Sequence, residues 1–353
     1  MIRLSILVVG ATALSLVNGC SYAERVAGPQ TITASQADTP NSELDVLKQQ
    51  YARPLQVPFP ADNVYSEEKR LLGQALFFDP RLSTAGNISC ASCHNPALAW
   101  ADGLPVGIGH KANKLGRHSP TILDIAWAPA LFWDGRADTL EQQASGPMLA
   151  DAEMGMNEKA VLDRVNATPG YRPMFDAAFP EKGVSLATIT AAIATFERTV
   201  VSGKAPFDRW VEGDETAIGD GAKRGFVTFN KKANCAACHS GWRFTNDGFQ
   251  DIGLPGNDLG RGKLVSDVPE LQHAFKTPTL RNISRRAPYM HDGGITTLEA
   301  VIRHYERDFI KRDSLSADMK TYTLTDEERA DLLAFLITLT SDDPQATVPA
   351  LPR

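Results

Sequence analysis

The sequence has no long basic run, and its one long apolar stretch lies at the N-terminus. Lys and Arg number 36 against 42 Asp and Glu, which gives a formal net charge of −6. A nucleic-acid partner needs clustered cations to neutralise phosphates, so we expect none. After the N-terminus, no apolar stretch approaches the roughly 20 residues that a bilayer-spanning helix needs. The hydrophobic content of 43% still supplies enough apolar surface for a folded body, which excludes disorder over most of the chain.

Residues 1–19 have the composition of a secretory signal peptide. A single positive charge, Arg3, precedes an apolar run that is too short to span a bilayer. The letters VNGC, which end at Cys20, resemble a bacterial lipobox, in which the cysteine receives lipid. The alternative is ordinary cleavage nearby, which would leave Cys20 removed or free. We expect lipidation of Cys20, because a lone unpaired cysteine suits an exported chain poorly. The sequence therefore predicts a periplasmic protein that is held at the membrane only by its lipid anchor.

The rest of the chain divides by composition. Residues 20–45 are polar, rich in Ser, Thr, Ala and Pro and without periodicity, which predicts a flexible tether. The length of 353 residues suits two domains at roughly 150 residues each. We expect these domains at 46–203 and 204–342, followed by a loose, proline-containing tail at 343–353.

Cysteine is scarce, and four of the five cysteines occur in two CxxCH segments, Cys90-Ala-Ser-Cys93-His94 and Cys235-Ala-Ala-Cys238-His239. Such a segment supplies two thiols for thioether bonds to haem vinyl groups and an imidazole for the iron. A thioredoxin-like redox pair would not need a histidine at the same place twice. A zinc site would bring the two pairs together but leave the repeated histidine unexplained. The sequence therefore predicts two covalently bound c-type haems, with His94 and His239 as iron ligands.

Each CxxCH segment is followed, much later, by an amphipathic helix. Apolar residues at spacings of three and four form one face of each helix. These residues are Leu186, Ile189, Ile193, Phe196 and Val200 in the first helix and Leu332, Phe335, Leu336 and Leu339 in the second. Thr325 and Glu328 predict a capping box at the start of the second helix. Alternating strand patterns are scarce and Gly, Pro and Asn breaks are many, so we expect two similar, mostly α-helical modules with long connecting loops.

Two further segments carry a family resemblance. They read FWDGRADTLEQQASGPMLADAEMG at 132–155 and KTPTLRNISRRAPYMHDG at 276–293. Together with the CxxCH segments, they resemble the bacterial dihaem cytochrome c peroxidase family, including its MauG-like branch, over roughly residues 46–342. The resemblance implies two cytochrome-c-like helical domains, each with one haem. It also implies a peroxide site at the N-terminal haem and electron relay through the C-terminal haem.

The resemblance also implies roles for four residues of the first segment. Trp133 matches the tryptophan that lies between the two haems, and its indole is an oxidisable ring that shortens an electron jump. Gln143 and Glu153 match the amide and the acid of the peroxide pocket, and Pro147 matches a residue of its wall. Peroxide cleavage needs a proton taken from one oxygen and returned to the other, which a carboxylate near the open iron face can do.

His110 bears on whether the peroxide site is always open. It stands where peroxidase-branch members carry a distal histidine, which caps the iron until the other haem is reduced. MauG-like members lack this ligand. His110 lies in a Gly- and Lys-containing loop, which suits a switchable ligand and a solvent-exposed histidine equally well.

Tyr305 stands where the peroxidase branch places the methionine ligand of the C-terminal haem and the MauG-like branch a tyrosine. A phenolate favours ferric and higher oxidation states, so Tyr305 favours oxidase chemistry. Alternatively Tyr305 only packs, and the iron ligand is Met290, Met319 or His304. Thr296 and Glu299 predict a capping box for the helix that carries Tyr305.

The resemblance also raises a calcium ion, which family members hold between the two domains. The position of its asparagine ligand is His118 here, and backbone carbonyls at Arg286 and Pro288 would complete the site. Calcium prefers hard oxygen ligands, for which an imidazole is a poor substitute. We therefore expect calcium to bind weakly or not at all.

Three functions remain open at this point. The first is a peroxidase that reduces hydrogen peroxide with electrons from a small redox protein. The second is a MauG-like oxidase that uses peroxide-derived high-valent haems to oxidise a partner-protein residue or an organic substrate. The third is a non-enzymatic dihaem electron carrier, which has no use for an acid such as Glu153 over an iron. We expect peroxide-dependent chemistry in a monomer or homodimer.

Overall fold

The computed structural model describes residues 42–342 and 346–353, and Ser42–Arg353 form one compact unit. Within the described residues the structure is mostly helical, with a single two-stranded antiparallel sheet. The helices are α1 Glu43–Gln49, α2 Glu67–Phe78, α3 Cys90–Cys93, α4 Leu140–Leu149, α5 Glu158–Asn166, α6 Tyr171–Ala178, α7 Leu186–Arg198, α8 Pro206–Val211, α9 Asp220–Asn230, α10 Leu298–Arg303 and α11 Asp326–Ile337. The strands are β1 Phe249–Gln250 and β2 Phe275–Lys276. None of the described helices combines the length and the apolar character needed to cross a membrane.

Two large apolar clusters form most of the core, the first around α2 and α7 and the second around α9 and α11, beside a small third cluster that includes Leu131 and Leu140. In each large cluster the two helices meet closely at a glycine. A Cβ on Gly73 of α2 would lie 1.9 Å from the Ala192 carbonyl oxygen of α7. A Cβ on Gly225 of α9 would lie 2.0 Å from the Asp331 carbonyl oxygen of α11. Only glycine permits such an approach, so the duplication expected from the two CxxCH segments recurs in how the helices pack.

Both amphipathic helices expected from the sequence are present, as α7 and α11. Their apolar faces are buried, and the capping box of Thr325 and Glu328 is confirmed. The capping box of Thr296 and Glu299 is wrong, because Thr297 is the N-cap and its hydroxyl accepts a hydrogen bond from the Ala300 N–H at 3.2 Å. The later start puts Leu298, which is 7% exposed, at the first helical position.

The N-terminal end of the described chain departs from the expected domain boundaries. The signal peptide, Cys20 and most of the predicted tether fall outside the described residues, but Ser42 already caps α1. The first residues assigned to the N-terminal domain instead pack with the second cluster. Tyr51 is buried there and donates to Asn230 Oδ1 at 2.6 Å, and Lys48 pairs with Glu215 at 2.8 Å. These partners are far along the chain, so local composition did not indicate them.

The described part of the tail, 346–353, is not loose, which corrects the expectation. Leu351 packs against the first cluster. The Pro352 carbonyl accepts from Arg81 Nη2 at 2.9 Å, and the Arg353 carbonyl accepts from the Gly170 N–H at 2.8 Å. Satisfied backbone groups and a partly buried leucine hold the tail on the first cluster.

Candidate functional site

Three cavities lie around the two CxxCH segments, and the volume of each includes space open to solvent. The N-terminal cavity, of about 550 Å³, is lined by Cys90, Cys93 and His94 among others. The C-terminal cavity, of about 1330 Å³ including space open to solvent, is lined by Cys235, Cys238 and His239 among others. The central cavity, of about 800 Å³, takes its lining from both apolar clusters and shares part of its wall with the C-terminal cavity. Each cysteine-rich segment therefore opens onto its own cavity.

Both CxxCH histidines are held in the orientation that a haem ligand needs. His94 Nδ1 lies 3.3 Å from the Trp100 carbonyl oxygen, and His239 Nδ1 lies 2.9 Å from the Phe244 carbonyl oxygen. When Nδ1 donates to a carbonyl, the lone pair on Nε2 remains for a metal. Burial lowers the pKa of both imidazoles, that of His239 to about 4, so both are neutral at physiological pH. Neutral, oriented imidazoles fit iron ligation.

The four thiols also fit haem attachment. They form no disulfide and line the two cavities. Burial raises their pKa values, to about 11 for Cys93 and Cys238 and about 12 for Cys235, which keeps them as thiols. Within the described residues, no three His, Cys, Asp or Glu side chains gather where they would hold a metal ion. The two cysteine pairs line separate cavities, whereas a zinc site would need them together.

The structure brings Gln143, Pro147 and Glu153 together with His94 around the N-terminal cavity. Gln143 and Pro147 lie on α4, which Thr139 caps by accepting from the Gln142 N–H, and Glu153 lies in the turn that follows. Neither the Gln143 amide nor the Glu153 carboxyl has a protein hydrogen-bond partner among the described residues. Both side chains are partly buried in the cavity wall, so both are available to a ligand in the cavity.

The pKa of the Glu153 carboxyl is shifted upward. Burial raises its pKa, and the Arg136 guanidinium opposes this by lowering it. A carboxyl whose pKa moves upward toward the working pH can both hold and release a proton, as a general acid and base must.

The structure places His110 beside Glu153 but not in the wall of the N-terminal cavity. The backbone N–H of His110 donates to the Glu153 carbonyl oxygen at 2.6 Å, and the ring Nδ1 of His110 is buried without a hydrogen-bond partner. The turn continues through Lys111 and Ala112, which have left-handed φ angles of 56° and 58°. Two consecutive non-glycine residues in this region cost conformational energy. Iron ligation by His110 stays a prediction.

Trp133 lines both the C-terminal and the central cavity. Its Nε1 donates to the His118 carbonyl oxygen at 2.8 Å, and its own carbonyl accepts from the Lys276 N–H at 2.7 Å. The first bond fixes the indole and the second fixes the Trp133 backbone at the shared wall of the two cavities. This position suits a ring that carries electrons between the two cavities.

Tyr305 lines the C-terminal cavity together with Met290 and Met319. It lies in a π-helical turn, His304–Asp308, directly after α10, and such wide turns are frequent at functional sites. Burial raises the pKa of the Tyr305 phenol. His304 does not line the cavity, since its Nε2 bonds to the Ile252 carbonyl oxygen at 2.8 Å. Of the alternatives to Tyr305, the two methionines therefore remain and His304 does not.

The residues raised for calcium meet at the central cavity, which His118, Arg286 and Pro288 all line. His118 Nδ1 already bonds to the Leu104 carbonyl oxygen at 2.7 Å. The weak binding of calcium stays a prediction.

Sequence reasoning missed Glu197, which also lines the N-terminal cavity. This residue of α7 is 4% exposed, and its Oε2 has no hydrogen-bond partner. Its position four residues after Ile193 puts it on the buried face of the helix, which was the available signal. Burial raises the Glu197 pKa to about 8.

The unfolded chain releases the Glu197 proton above its ordinary pKa of 4.5, whereas the folded protein keeps this proton up to about pH 8. The contribution of Glu197 to the unfolding free energy therefore falls as the pH rises from 4.5 to 8. We expect Glu197→Gln to raise the unfolding free energy by about 3 kcal/mol at pH 7, from 7 − 4.5 = 2.5 pH units at ~1.36 kcal/mol each. The gain should vanish at pH 4. Urea unfolding of the haem-loaded protein at both pH values measures it, with exposed Glu270→Gln as control. Equal effects of Glu197→Gln at both pH values would contradict it.

Two family models match the chain. The model for di-haem cytochrome c peroxidase matches residues 67–216, and the model for cytochrome c matches residues 222–340. Each matched range contains one of the two CxxCH segments. The chain therefore carries two c-type haems, held by the two CxxCH segments whose thiols and imidazoles line the N-terminal and C-terminal cavities.

Individual relatives agree with these models. The chain is 50% identical over 345 residues to the methylamine utilization protein MauG of Methylorubrum extorquens, covering 97% of each chain. It is 37% identical over 287 residues to the cytochrome c551 peroxidase of Nitrosomonas europaea, covering 80% of this chain and 82% of the relative. Among solved structures, a MauG-like protein associated with microbial copper homeostasis matches with a TM-score of 0.78 and 34% identity, over 90% of this chain and 99% of the other.

The residue pattern, the mostly helical fold and these relatives agree. The chain belongs to the di-haem cytochrome c peroxidase family, in which it is similar to both the MauG proteins and the peroxidases.

Proposed function

We propose that this chain reduces hydrogen peroxide to water at the N-terminal cavity, with electrons relayed through the C-terminal haem. One observation carries the proposal: Gln143 and Glu153, without protein partners of their own, line the same cavity as His94 and its thiols. An electron carrier needs no acid and no amide facing its haem. A site that breaks an O–O bond needs both a proton carrier and an orienting group.

Cys90, Cys93 and His94 would hold the N-terminal haem, which supplies a redox-active iron that binds peroxide. Glu153 takes the proton from one peroxide oxygen and returns it to the other, so that water leaves. The amide of Gln143 donates a hydrogen bond that orients the peroxide, and Pro147 limits its position. The overall reaction joins one H₂O₂, two electrons and two protons to give two molecules of water.

The electrons come from a small redox protein and travel by way of the C-terminal cavity to the N-terminal cavity. Trp133 supports this route, because it lies in the wall shared by the C-terminal and central cavities, where one hydrogen bond holds its indole and another its backbone carbonyl. An oxidisable ring at that place shortens the transfer toward the N-terminal cavity.

A second function is favoured by Tyr305. A phenol at the C-terminal cavity favours oxidised iron, which suits a MauG-like enzyme that draws electrons from a partner-protein residue or an organic substrate. The similarity to a protein named for methylamine utilization supports the same function. Both functions use the same peroxide site, and they differ in whether electrons enter as a prior reduction or are taken from a substrate afterwards.

One experiment separates the two functions. Hydrogen peroxide is added to the purified protein in its ferric and its half-reduced forms, and the absorption spectrum is followed. A peroxidase with a distal ligand such as His110 reacts only after half-reduction. A MauG-like oxidase reacts directly in the ferric form, with a near-infrared charge-resonance band. A reaction in neither form would contradict both.

We expect Tyr305→Phe to change the absorption spectrum of the C-terminal haem, because the phenol oxygen is lost while the ring remains. The N-terminal haem spectrum should not change. Ferric and ferrous spectra of the variant measure this, with Tyr322→Phe as a control from the same cavity wall. An unaltered C-terminal haem spectrum would rule out Tyr305 as a ligand and leave Met290 or Met319.

We also propose that the chain is exported to the periplasm and anchored through lipid on Cys20. This rests on the charge, the apolar run and the VNGC letters of the N-terminal sequence. A periplasmic location suits covalent haem attachment, which takes place outside the cytoplasm.

A further inference from the structure

The central cavity carries more positive than negative charge. Three cationic side chains line it, those of Arg243, Lys276 and Arg286, against one carboxylate, that of Asp247. Arg243 and Asp247 form an ion pair with each other. Two positive charges are left without a counter-ion.

Lys276 lies on β2 and lines both the central and the C-terminal cavity. Its backbone N–H is used by Trp133, but its ammonium has no ion-pair or hydrogen-bond partner among the described residues. Burial lowers the Lys276 pKa to about 8, because it removes water from around the ammonium. The ammonium is therefore close to both haem-side spaces and unpaired.

Arg286 is still more enclosed, at 7% exposed. Its Nη2 donates to the Thr279 carbonyl oxygen at 2.5 Å, but its Nε is buried without any partner. No carboxylate lies within ion-pair distance of this guanidinium among the described residues. Burial lowers the Arg286 pKa to about 10, for the same reason as at Lys276.

Burying unpaired cations costs several kcal/mol per ion, so a stable fold supplies an anion. We propose that the Lys276 ammonium and the Arg286 guanidinium bind the propionate carboxylates of the bound haems, where these extend into the central cavity. A c-type haem is fixed to its cysteines through its vinyl groups, and its propionates project from the other side of the ring. They are carboxylates that the cofactor itself brings, and a guanidinium is well suited to bind carboxylates.

The inference rests on the haem content and not on which reaction the protein performs.

The test is a spectroelectrochemical titration of the haem-loaded protein between pH 5 and pH 9. Lys276→Met and Arg286→Met should lower a haem midpoint potential, because a lost cation favours the ferric form. The potential should also become dependent on pH near neutrality, because the carboxylate pKa rises when its cation is removed. Arg286→Lys, which keeps the charge, should retain most of the wild-type potential and covers the case in which Arg286→Met fails to fold.

Arg285→Met is the matched control, since the Arg285 side chain is half exposed and pairs with exposed Asp342 at 3.1 Å. Mass measurement confirms two attached haems in every variant. Potentials and pH profiles of Lys276→Met and Arg286→Met that match those of Arg285→Met would overturn the proposal. A second outcome would also overturn the proposal: added phosphate changes the midpoint potential of the wild type but not the potentials of the two variants. This outcome would identify a free anion, and not a propionate, as the partner of the two cations.

Discussion

Glu153→Gln is expected to lower the kcat of peroxide reduction by about 100- to 10,000-fold, the usual contribution of a positioned acid–base group. Glutamine keeps the shape of the side chain and can still bond to peroxide, but it cannot take up a proton and return it. Both haems should stay attached, since neither CxxCH segment is altered. Steady-state peroxide consumption by the purified variant, with a reduced small cytochrome as donor, measures the loss.

Asp151→Asn is the matched control for this variant. Asp151 is exposed on the same turn, two residues before Glu153, and does not line the N-terminal cavity. The control loses the same formal charge at almost the same place and should turn over peroxide as the wild type does. If Glu153→Gln keeps wild-type kcat, Glu153 takes no part in the reaction.

Trp133→Phe is expected to slow electron transfer from the C-terminal to the N-terminal haem by about 100-fold, which corresponds to a barrier raised by ~2.7 kcal/mol. Phenylalanine retains an aromatic ring but is much harder to oxidise, and it loses the hydrogen bond to the His118 carbonyl. Stopped-flow mixing of half-reduced protein with peroxide measures the transfer. The reduction of the C-terminal haem by the donor should be unaffected.

Trp127→Phe is the control for that experiment. Trp127 precedes Trp133 on the same segment and packs edge-on against Trp242 at 4.8 Å, but it lines none of the three cavities. Equal rates in the wild type and both variants would mean that the indole at the shared wall is packing only.

The haem-binding residues could be predicted from the sequence because their spacing is local. Two thiols and a histidine within five residues form one turn, as α3 and the corresponding turn at Cys235–Ala237 show. The pocket residues Gln143 and Glu153 lie outside any such turn, and they were reached only through the resemblance to a family. The structure then shows them at one cavity with His94.

Charged residues on buried faces were harder to predict. Glu197 belongs to α7. The pattern of apolar residues in α7 indicates a core helix, but it does not show which groups surround a polar residue on the buried face. Lys276 and Arg286 lie in the segment at 276–293 that carries the family resemblance, but only the packing around the central cavity shows that their charges have no counter-ion. Burial of a single polar side chain is a property of the tertiary fold and not of local sequence.

The ends of the described chain show the same limit. Tyr51 packs into the second cluster and Leu351 into the first, through contacts with residues far away in sequence. Tyr51 was expected in the N-terminal domain and Leu351 in a loose tail, and composition indicates neither contact. The one-residue error at Thr296 is of another kind, since two adjacent threonines can both cap a helix and helix ends are uncertain by a residue or two.

The most direct test is the position of the Glu153 carboxyl relative to the N-terminal haem iron in an experimental structure of the haem-loaded protein, ferric and half-reduced. The account predicts an iron face opposite His94 that is free of protein ligands in at least one state, with Glu153 and Gln143 within hydrogen-bond reach of a two-atom ligand there. Two firm protein ligands on both irons in both states, or Glu153 turned away from the iron, would contradict it.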